Sequence, residues 1–133
     1  MATTRDFAGA TLSIDLGAIA QNWGQLATRL GKSNCAGVVK ADAYGLGMAA
    51  VAPVLADAGC SLFFTANIDE AIAVREALPS VEIGVLYGPS SAEDATACSA
   101  HGLIPVLNHL DQLTLWRNHA KKVGRAVVAM LHI

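Results

Sequence analysis

Short apolar segments alternate with helix-forming segments along almost the whole chain, and this alternation restricts the fold more than any other feature. Each apolar segment has the length of a buried strand, and each helix-forming segment carries apolar residues at helical spacing. Strands that alternate with helices form parallel sheets covered by those helices, with right-handed crossovers. The sequence therefore predicts an α/β fold.

Six strands are predicted, at residues 11–16, 35–40, 61–65, 82–87, 103–107 and 126–133. Helices are predicted between them, at residues 16–30, 49–57, 67–78, 91–100 and 109–123. Asp15 is the predicted N-cap of the first helix, and Asn67 forms a capping box with Glu70 at the third. Pro53 is compatible with the second helix if that helix starts near residue 49 or 50, because first-turn N–H groups have no intrahelical partner.

Two architectures fit this order of elements. A complete, flavodoxin-like doubly wound sheet suits the length of 133 residues. Part of a (β/α)₈ barrel suits the pattern, although a closed barrel needs about 250 residues. The last predicted strand has no helix after it to cover it, which favours part of a barrel and hence a truncated chain.

Composition and charge exclude several classes of protein. Nine basic and eleven acidic residues give a net charge of −2, which provides no basic field for nucleic acid. Residues 1–7 contain no apolar run of signal-peptide length, and the longest uncharged stretch, 43–56, is interrupted by glycines and a proline. Three widely spaced cysteines predict neither a disulfide framework nor a metal site. We therefore expect a cytoplasmic protein without a membrane span.

The segment around Lys40 is the strongest candidate for a functional site. Lys40 ends an apolar strand, and parallel α/β folds place their sites at the carboxyl ends of strands. A lysine amine there can form a Schiff base with a carbonyl compound, while Gly45 and Gly47 allow a tight turn close to a ligand. Judged from the residues alone, a side chain that extends along the surface to water is the commoner role for such a lysine.

Residues 37–47 read G-V-V-K-A-D-A-Y-G-L-G, and this string resembles the pyridoxal-phosphate lysine motif of alanine racemases, A-V-V-K-A-D/N-A-Y-G-H-G. Leu46 departs from the motif, because the family has histidine there. Other segments resemble the family in the same order, namely 14–22, 59–71, 83–88 and 131–133.

The resemblance implies a fold and a domain organisation. The fold is the N-terminal (β/α)₈ TIM barrel of the type III pyridoxal-phosphate enzymes. Residues 1–133 would be its N-terminal part, with about five barrel strands of eight, starting at residues 35, 61, 82, 103 and 126, preceded by the strand at 11–16. The chain would then be truncated in the fifth barrel strand, and the C-terminal β domain would be absent.

The resemblance also implies an activity, the interconversion of L-alanine and D-alanine with pyridoxal 5'-phosphate, which supplies D-alanine for peptidoglycan. Lys40 would hold the cofactor as a Schiff base and act as acid and base on one face of the substrate. Tyr44 would bind the cofactor phosphate, and Leu86 would pack near its ring. The opposite-face base, a tyrosine of the second subunit of a homodimer, would lie beyond residue 133, so the chain alone is expected to be inactive.

Two alternatives remain. One is a non-catalytic pyridoxal-phosphate-binding barrel protein. The other is a flavodoxin-like binding module, for which residues 88–91 are the only weak candidate for a phosphate loop. No metal, nucleic-acid or membrane partner is expected in any of these cases.

Overall fold

Residues 9–133 are described by the computed structural model of this chain. Residues 1–7, on which part of the expected cytoplasmic localisation depends, lie outside the described residues. None of the helices in the described part is long and apolar enough to cross a membrane.

Helices and strands alternate as predicted, with five strands and six helices between residues 9 and 133. In chain order they are α1 (Leu16–Leu30), β1 (Gly37–Val38), α2 (Lys40–Tyr44), α3 (Met48–Asp57), β2 (Leu62–Thr65), α4 (Ile68–Ala77), β3 (Glu82–Val85), α5 (Ala92–Ala100), β4 (Ile104–Leu107), α6 (Leu110–Val123) and β5 (Met130–Leu131).

All five strands are parallel and belong to one sheet in the order β1-β2-β3-β4-β5. A doubly wound flavodoxin-like sheet has its first strand inside the sheet, with the order reversed on one side of it. The sequential order contradicts that alternative and is the order of neighbouring strands in a (β/α)₈ barrel. The fold is therefore an α/β partial barrel.

The core lies between the sheet and the helices that follow its strands. Phe63 and Ile83, which are register partners on β2 and β3, are fully buried. Small residues bring helices close to the sheet, as at Ala71 of α4 and Ala95 of α5, which are also fully buried. Gly84 of β3 leaves room for the ring of Phe64, because a Cβ there would lie 2.4 Å from the ring.

The predicted leading strand at residues 11–16 is wrong. Residues 10–15 form neither helix nor strand, and Leu16 is the first residue of α1. The apolar residues that suggested a strand are exposed, with Leu12 78% and Ile14 41% accessible. No strand of the described sheet pairs with this segment, so its backbone groups have no ladder to join.

Several boundaries also differ. The segments at 35–40 and 126–133 form only the short strands β1 and β5, which are the two edges of the described sheet and pair on one side only. Helix α3 begins at Met48, so Pro53 lies inside it rather than in its first turn. Proline cannot donate a backbone hydrogen bond within the helix. Burial of the neighbouring Val51, Ala52 and Leu55 against the core provides free energy that offsets this loss.

The predicted N-caps are confirmed. Asp15 accepts a hydrogen bond from the amide of Ala18 at 3.0 Å, and Asn67 accepts one from Glu70 at 2.9 Å. The capping box is only half formed, however. The Glu70 carboxylate does not return to Asn67 but accepts hydrogen bonds from the amides of Ala66 and Ala41.

We expect Asp94→Asn to lower the free energy of unfolding by about 1 kcal/mol at neutral pH. Hydrogen bonds from the Ser90 hydroxyl and amide, at 2.6 and 2.8 Å, lower the pKa of Asp94 below its ordinary value. Because the folded-state pKa is lowered, this stabilisation is present at neutral pH and is lost as the pH falls through that pKa.

Urea unfolding at neutral pH and at about pH 3 measures this effect. Glu93→Gln is the matched control, since Glu93 is the exposed neighbour in the same helical turn. A stability difference between Asp94→Asn and the unaltered chain that stays constant over this pH range would contradict the prediction.

Candidate functional site

A cleft of about 730 Å³ opens at the carboxyl ends of the strands. Lys40, which follows β1, and Leu86, which follows β3, both line it. The remaining lining residues come from strands β2 to β5, from the segments after them and from the first turn of α6, namely Phe64, Tyr87, Val106, Asn108, His109, Gln112, Met130, Leu131 and His132. Two of the three predicted site residues therefore share one cleft.

Lys40 is half-buried. It directly follows Val39, whose amide donates a hydrogen bond to the Phe64 carbonyl at 2.9 Å. This is the last hydrogen bond that joins the β1 segment to β2. Within residues 9–133 the single salt bridge joins His109 to Asp111, so no described carboxylate lies within 4.0 Å of the Lys40 amine. Lys40 thus lines an open cleft with an apolar side, and its amine has no paired charge among the described residues.

The segment after Lys40, predicted as a loop, forms a left-handed helical turn. Residues 41–44, none of them glycine, have φ between 51° and 58°. Each non-glycine residue in this left-handed conformation destabilises the fold by roughly 1–2 kcal/mol relative to the right-handed conformation. Hydrogen bonds from Gly45 to Ala41 and from Gly47 to Asp42, both 2.9 Å, hold the turn together. Strained backbone of this kind is concentrated at functional sites.

Asp42 connects the turn to the next helix. Its carboxylate accepts a hydrogen bond from the amide of Met48, the first residue of α3, at 2.7 Å. A carboxylate at a helix N-terminus also suits the positive end of the helix dipole. Asp42 is therefore a structural residue of this loop.

Tyr44 lies beside the cleft rather than in its wall. The centre of its ring is 6.0 Å from the Lys40 amine, at the outer limit of a cation–π contact. The side chain is 63% exposed. The structure thus brings Tyr44 close to Lys40, while its contact with a cofactor phosphate stays a prediction.

Leu86 is half-buried, and hydrogen bonds hold its backbone on both sides. Its amide donates to the Thr65 carbonyl at 2.9 Å, and its carbonyl accepts from the Asn108 side chain at 2.9 Å. These bonds fix Leu86 between β2 and β4. Its apolar side chain therefore lines the cleft from a fixed backbone position.

A polar network at the far side of the cleft was missed by sequence reasoning. Buried Gln112 donates to the Tyr87 carbonyl at 2.6 Å and accepts from the Asn108 amide at 2.8 Å. The Asn108 side-chain oxygen lies 3.0 Å from Nδ1 of His132. The available signal was the four-residue spacing of Asn108 and Gln112 across the start of α6, which places both side chains at one strand end.

The other nucleophilic side chains are poor candidates for chemistry. Burial raises the pKa of the Cys98 thiol to about 11, with a smaller contribution from the charge of Asp94, and burial also raises the pKa of Cys60. All three cysteines are unpaired. In the part of the chain that the structure describes, no three His, Cys, Asp or Glu side chains come together as metal ligands do.

Comparison with known proteins agrees with this arrangement. Residues 14–133 match the family model described as "Alanine racemase, N-terminal domain". An alanine racemase from Brucella ovis is 43% identical over 125 residues, which cover 93% of this chain and 31% of that protein. One from Acidiphilium cryptum is 49% identical over 123 residues, 92% of this chain and 34% of that protein. The chain thus spans about a third of the length of these curated relatives.

Solved structures show the same fold. The crystal structure of alanine racemase from Bartonella henselae with covalently bound pyridoxal phosphate superposes with a TM-score of 0.85 and 38% identity, covering 90% of this chain and 35% of that one. The alanine racemase of Streptomyces coelicolor A3(2) gives a TM-score of 0.78 with 28% identity, covering 89% and 32%.

Proposed function

The chain belongs to the alanine racemase N-terminal domain family, and we propose that it carries the pyridoxal-phosphate lysine of an enzyme that interconverts L-alanine and D-alanine. The observation that carries the proposal is the position of Lys40. Lys40 lines the cleft at the carboxyl ends of the strands, lies within the family-matched residues, and has an amine without a paired carboxylate in the described part of the chain.

The described residues fit pyridoxal phosphate. The group needs an amine that can attack its aldehyde, and Lys40 offers one. It also needs an apolar slot for its ring, and Phe64, Leu86 and Val106 line the cleft beside Lys40. The cleft volume of about 730 Å³ lies in the range of small-molecule sites. Lys40 would hold the group, and Leu86 would contact its ring.

Bound pyridoxal phosphate supplies an electron-withdrawing ring that makes the Cα proton of an attached amino acid removable. Once the amine of the substrate has replaced that of Lys40 on the group, the freed Lys40 amine would accept that proton and return it on one face of the substrate. Tyr44, at the edge of the cleft, would bind the phosphate. Inversion at Cα requires a second proton-transferring group on the opposite face, and we assign that role to a tyrosine of a partner subunit.

The same proposal places the protein in the cytoplasm as a homodimer that supplies D-alanine for peptidoglycan. Residues 1–133 are the N-terminal part of the cofactor-binding barrel, and the C-terminal β domain lies outside them. The opposite-face base then also lies outside this chain, so we expect residues 1–133 alone to hold the cofactor without racemising alanine.

Covalent labelling tests the assignment of Lys40. We expect the chain, mixed with pyridoxal phosphate and reduced with borohydride, to carry the label at Lys40, as peptide mapping by mass spectrometry would show. The exposed lysines Lys32, Lys121 and Lys122 are internal controls, because they differ from Lys40 in lying outside the cleft. A label spread evenly over all four lysines, or absent from Lys40, would contradict the proposal.

A further inference from the structure

The side chain of Glu70, which lies outside the turn that follows Lys40, is hydrogen-bonded to that turn. The Oε1 atom of Glu70 accepts a hydrogen bond from the amide of Ala41 at 2.8 Å, and its Oε2 atom accepts one from Ala66 at 2.8 Å. Ala41 comes directly after Lys40, and Ala66 comes directly after β2. A single carboxylate therefore joins the carboxyl ends of two neighbouring strands.

The left-handed turn needs such support. Its four non-glycine residues at positive φ are strained, and backbone in this state persists only where its surroundings hold it. The first amides of a helical turn have no partner within the turn. Glu70 provides that partner for Ala41, next to Lys40, which lines the cleft.

Glu70 is well placed to act as a fixed support. Its own amide donates to the Asn67 side chain at 2.9 Å, which anchors it in the first turn of α4. It makes no salt bridge with Lys40 within 4.0 Å in the described part of the chain. Its hydrogen bonds are with the backbone amides of Ala41 and Ala66 rather than with the amine.

We propose that Glu70 is a positioning residue for Lys40. By fixing the Ala41 amide against the end of β2, it sets the direction in which the Lys40 side chain leaves the sheet and so its reaction with an aldehyde in the cleft. The proposal rests on the role assigned to Lys40 above. The carboxylate suits this task because both of its partners are donors and it has only acceptors.

Glu70→Gln separates this role from a general effect on stability. Glutamine keeps one acceptor but turns an NH₂ group towards the second donor, so only one of the two hydrogen bonds survives. We expect amide hydrogen exchange at Ala41 or Ala66 to quicken about tenfold, the equivalent of one charge-assisted hydrogen bond. We also expect borohydride-trapped labelling of Lys40 to slow about tenfold relative to that of Lys32.

Glu76→Gln is the matched control, because Glu76 is an exposed glutamate on the same helix, and it should change neither measurement. Faster exchange with an unchanged ratio of Lys40 to Lys32 labelling would overturn the positioning role. So would unchanged exchange at both Ala41 and Ala66. If Glu70→Gln does not fold, Glu70→Asp takes its place, because one methylene fewer prevents the carboxylate from spanning both amides.

The hydrogen-exchange measurement needs no cofactor, so a failure of the proposed role of Glu70 can be distinguished from a failure of the proposed function. Absence of Lys40 labelling in the unaltered chain would overturn the proposed function. Normal labelling in the unaltered chain together with equally fast labelling in Glu70→Gln would overturn only the role of Glu70. Slow exchange of the Ala41 amide in the unaltered chain is expected although Ala41 is exposed, and fast exchange there would overturn the contact itself.

Discussion

Gly88→Ala should lower the free energy of unfolding by about 3 kcal/mol or more, the largest loss of stability that we expect from adding one methyl group. A Cβ at this position would lie 2.4 Å from the carbonyl oxygen of Val106 and 2.9 Å from Nε2 of Gln112. Both of these neighbours are buried, and the carbonyl belongs to β4, so neither can withdraw without moving the sheet. Urea unfolding measures the loss.

Gly124→Ala is the matched control for this change. Gly88 and Gly124 have nearly equal φ values, +64° and +67°, but a Cβ at Gly124 would have nothing within 4 Å. Gly124→Ala thus reports the cost of an L-residue in the left-handed region, about 1–2 kcal/mol, without a clash. Equal losses for the two variants would show that the close approach of Val106 contributes nothing.

The clash would also disturb the cleft. Gly88 follows Tyr87, whose carbonyl accepts the hydrogen bond from Gln112 that closes the far side of the site. A Cβ at Gly88 pushes against the same Gln112 side chain. The glycine is therefore needed for the polar network as well as for the packing of β4.

Local signals in the sequence predicted most of the fold. The caps at Asp15 and Asn67 were identified correctly because a capping residue acts on backbone groups only three positions away. The error at residues 11–16 has the opposite cause. A strand forms only beside a partner, and the apolar pattern of a segment does not say whether a partner exists.

The site was also predictable only in part, because some of its contacts join residues that are far apart along the chain. Lys40 and Leu86 end apolar strands, and the carboxyl ends of parallel strands meet, so the chain pattern alone brings them to one edge. The hydrogen bond from Ala41 to Glu70 spans 29 residues, and no short motif encodes it. The left-handed turn at residues 41–44 was likewise hidden, because alanine, aspartate and tyrosine do not signal positive φ as glycine does.

Lys40→Ala should have the largest effect on activity, and a chimera provides the assay. In it, this chain replaces the corresponding third of the 49%-identical relative, which supplies the remaining two thirds. We expect the chimera to racemise alanine and Lys40→Ala to reduce the rate by about 10²–10⁴-fold or more, the contribution of one acid–base group. Chiral chromatography of the product formed from each enantiomer measures the rate of racemisation.

Exchange of the Cα proton for deuterium, followed by NMR from each enantiomer in turn, tests the role of Lys40 on one face, because in Lys40→Ala exchange without inversion should persist from one enantiomer only. If Lys40 handles the proton on a single face, its loss stops inversion in both directions, because both need a proton transfer on each face. An added small primary amine should restore part of the rate to Lys40→Ala, since it supplies the missing group. Lys32→Ala, which removes an exposed lysine outside the cleft, should leave the rate unchanged. A chimera that is labelled at Lys40 but never racemises alanine would instead favour a non-catalytic pyridoxal-phosphate-binding barrel.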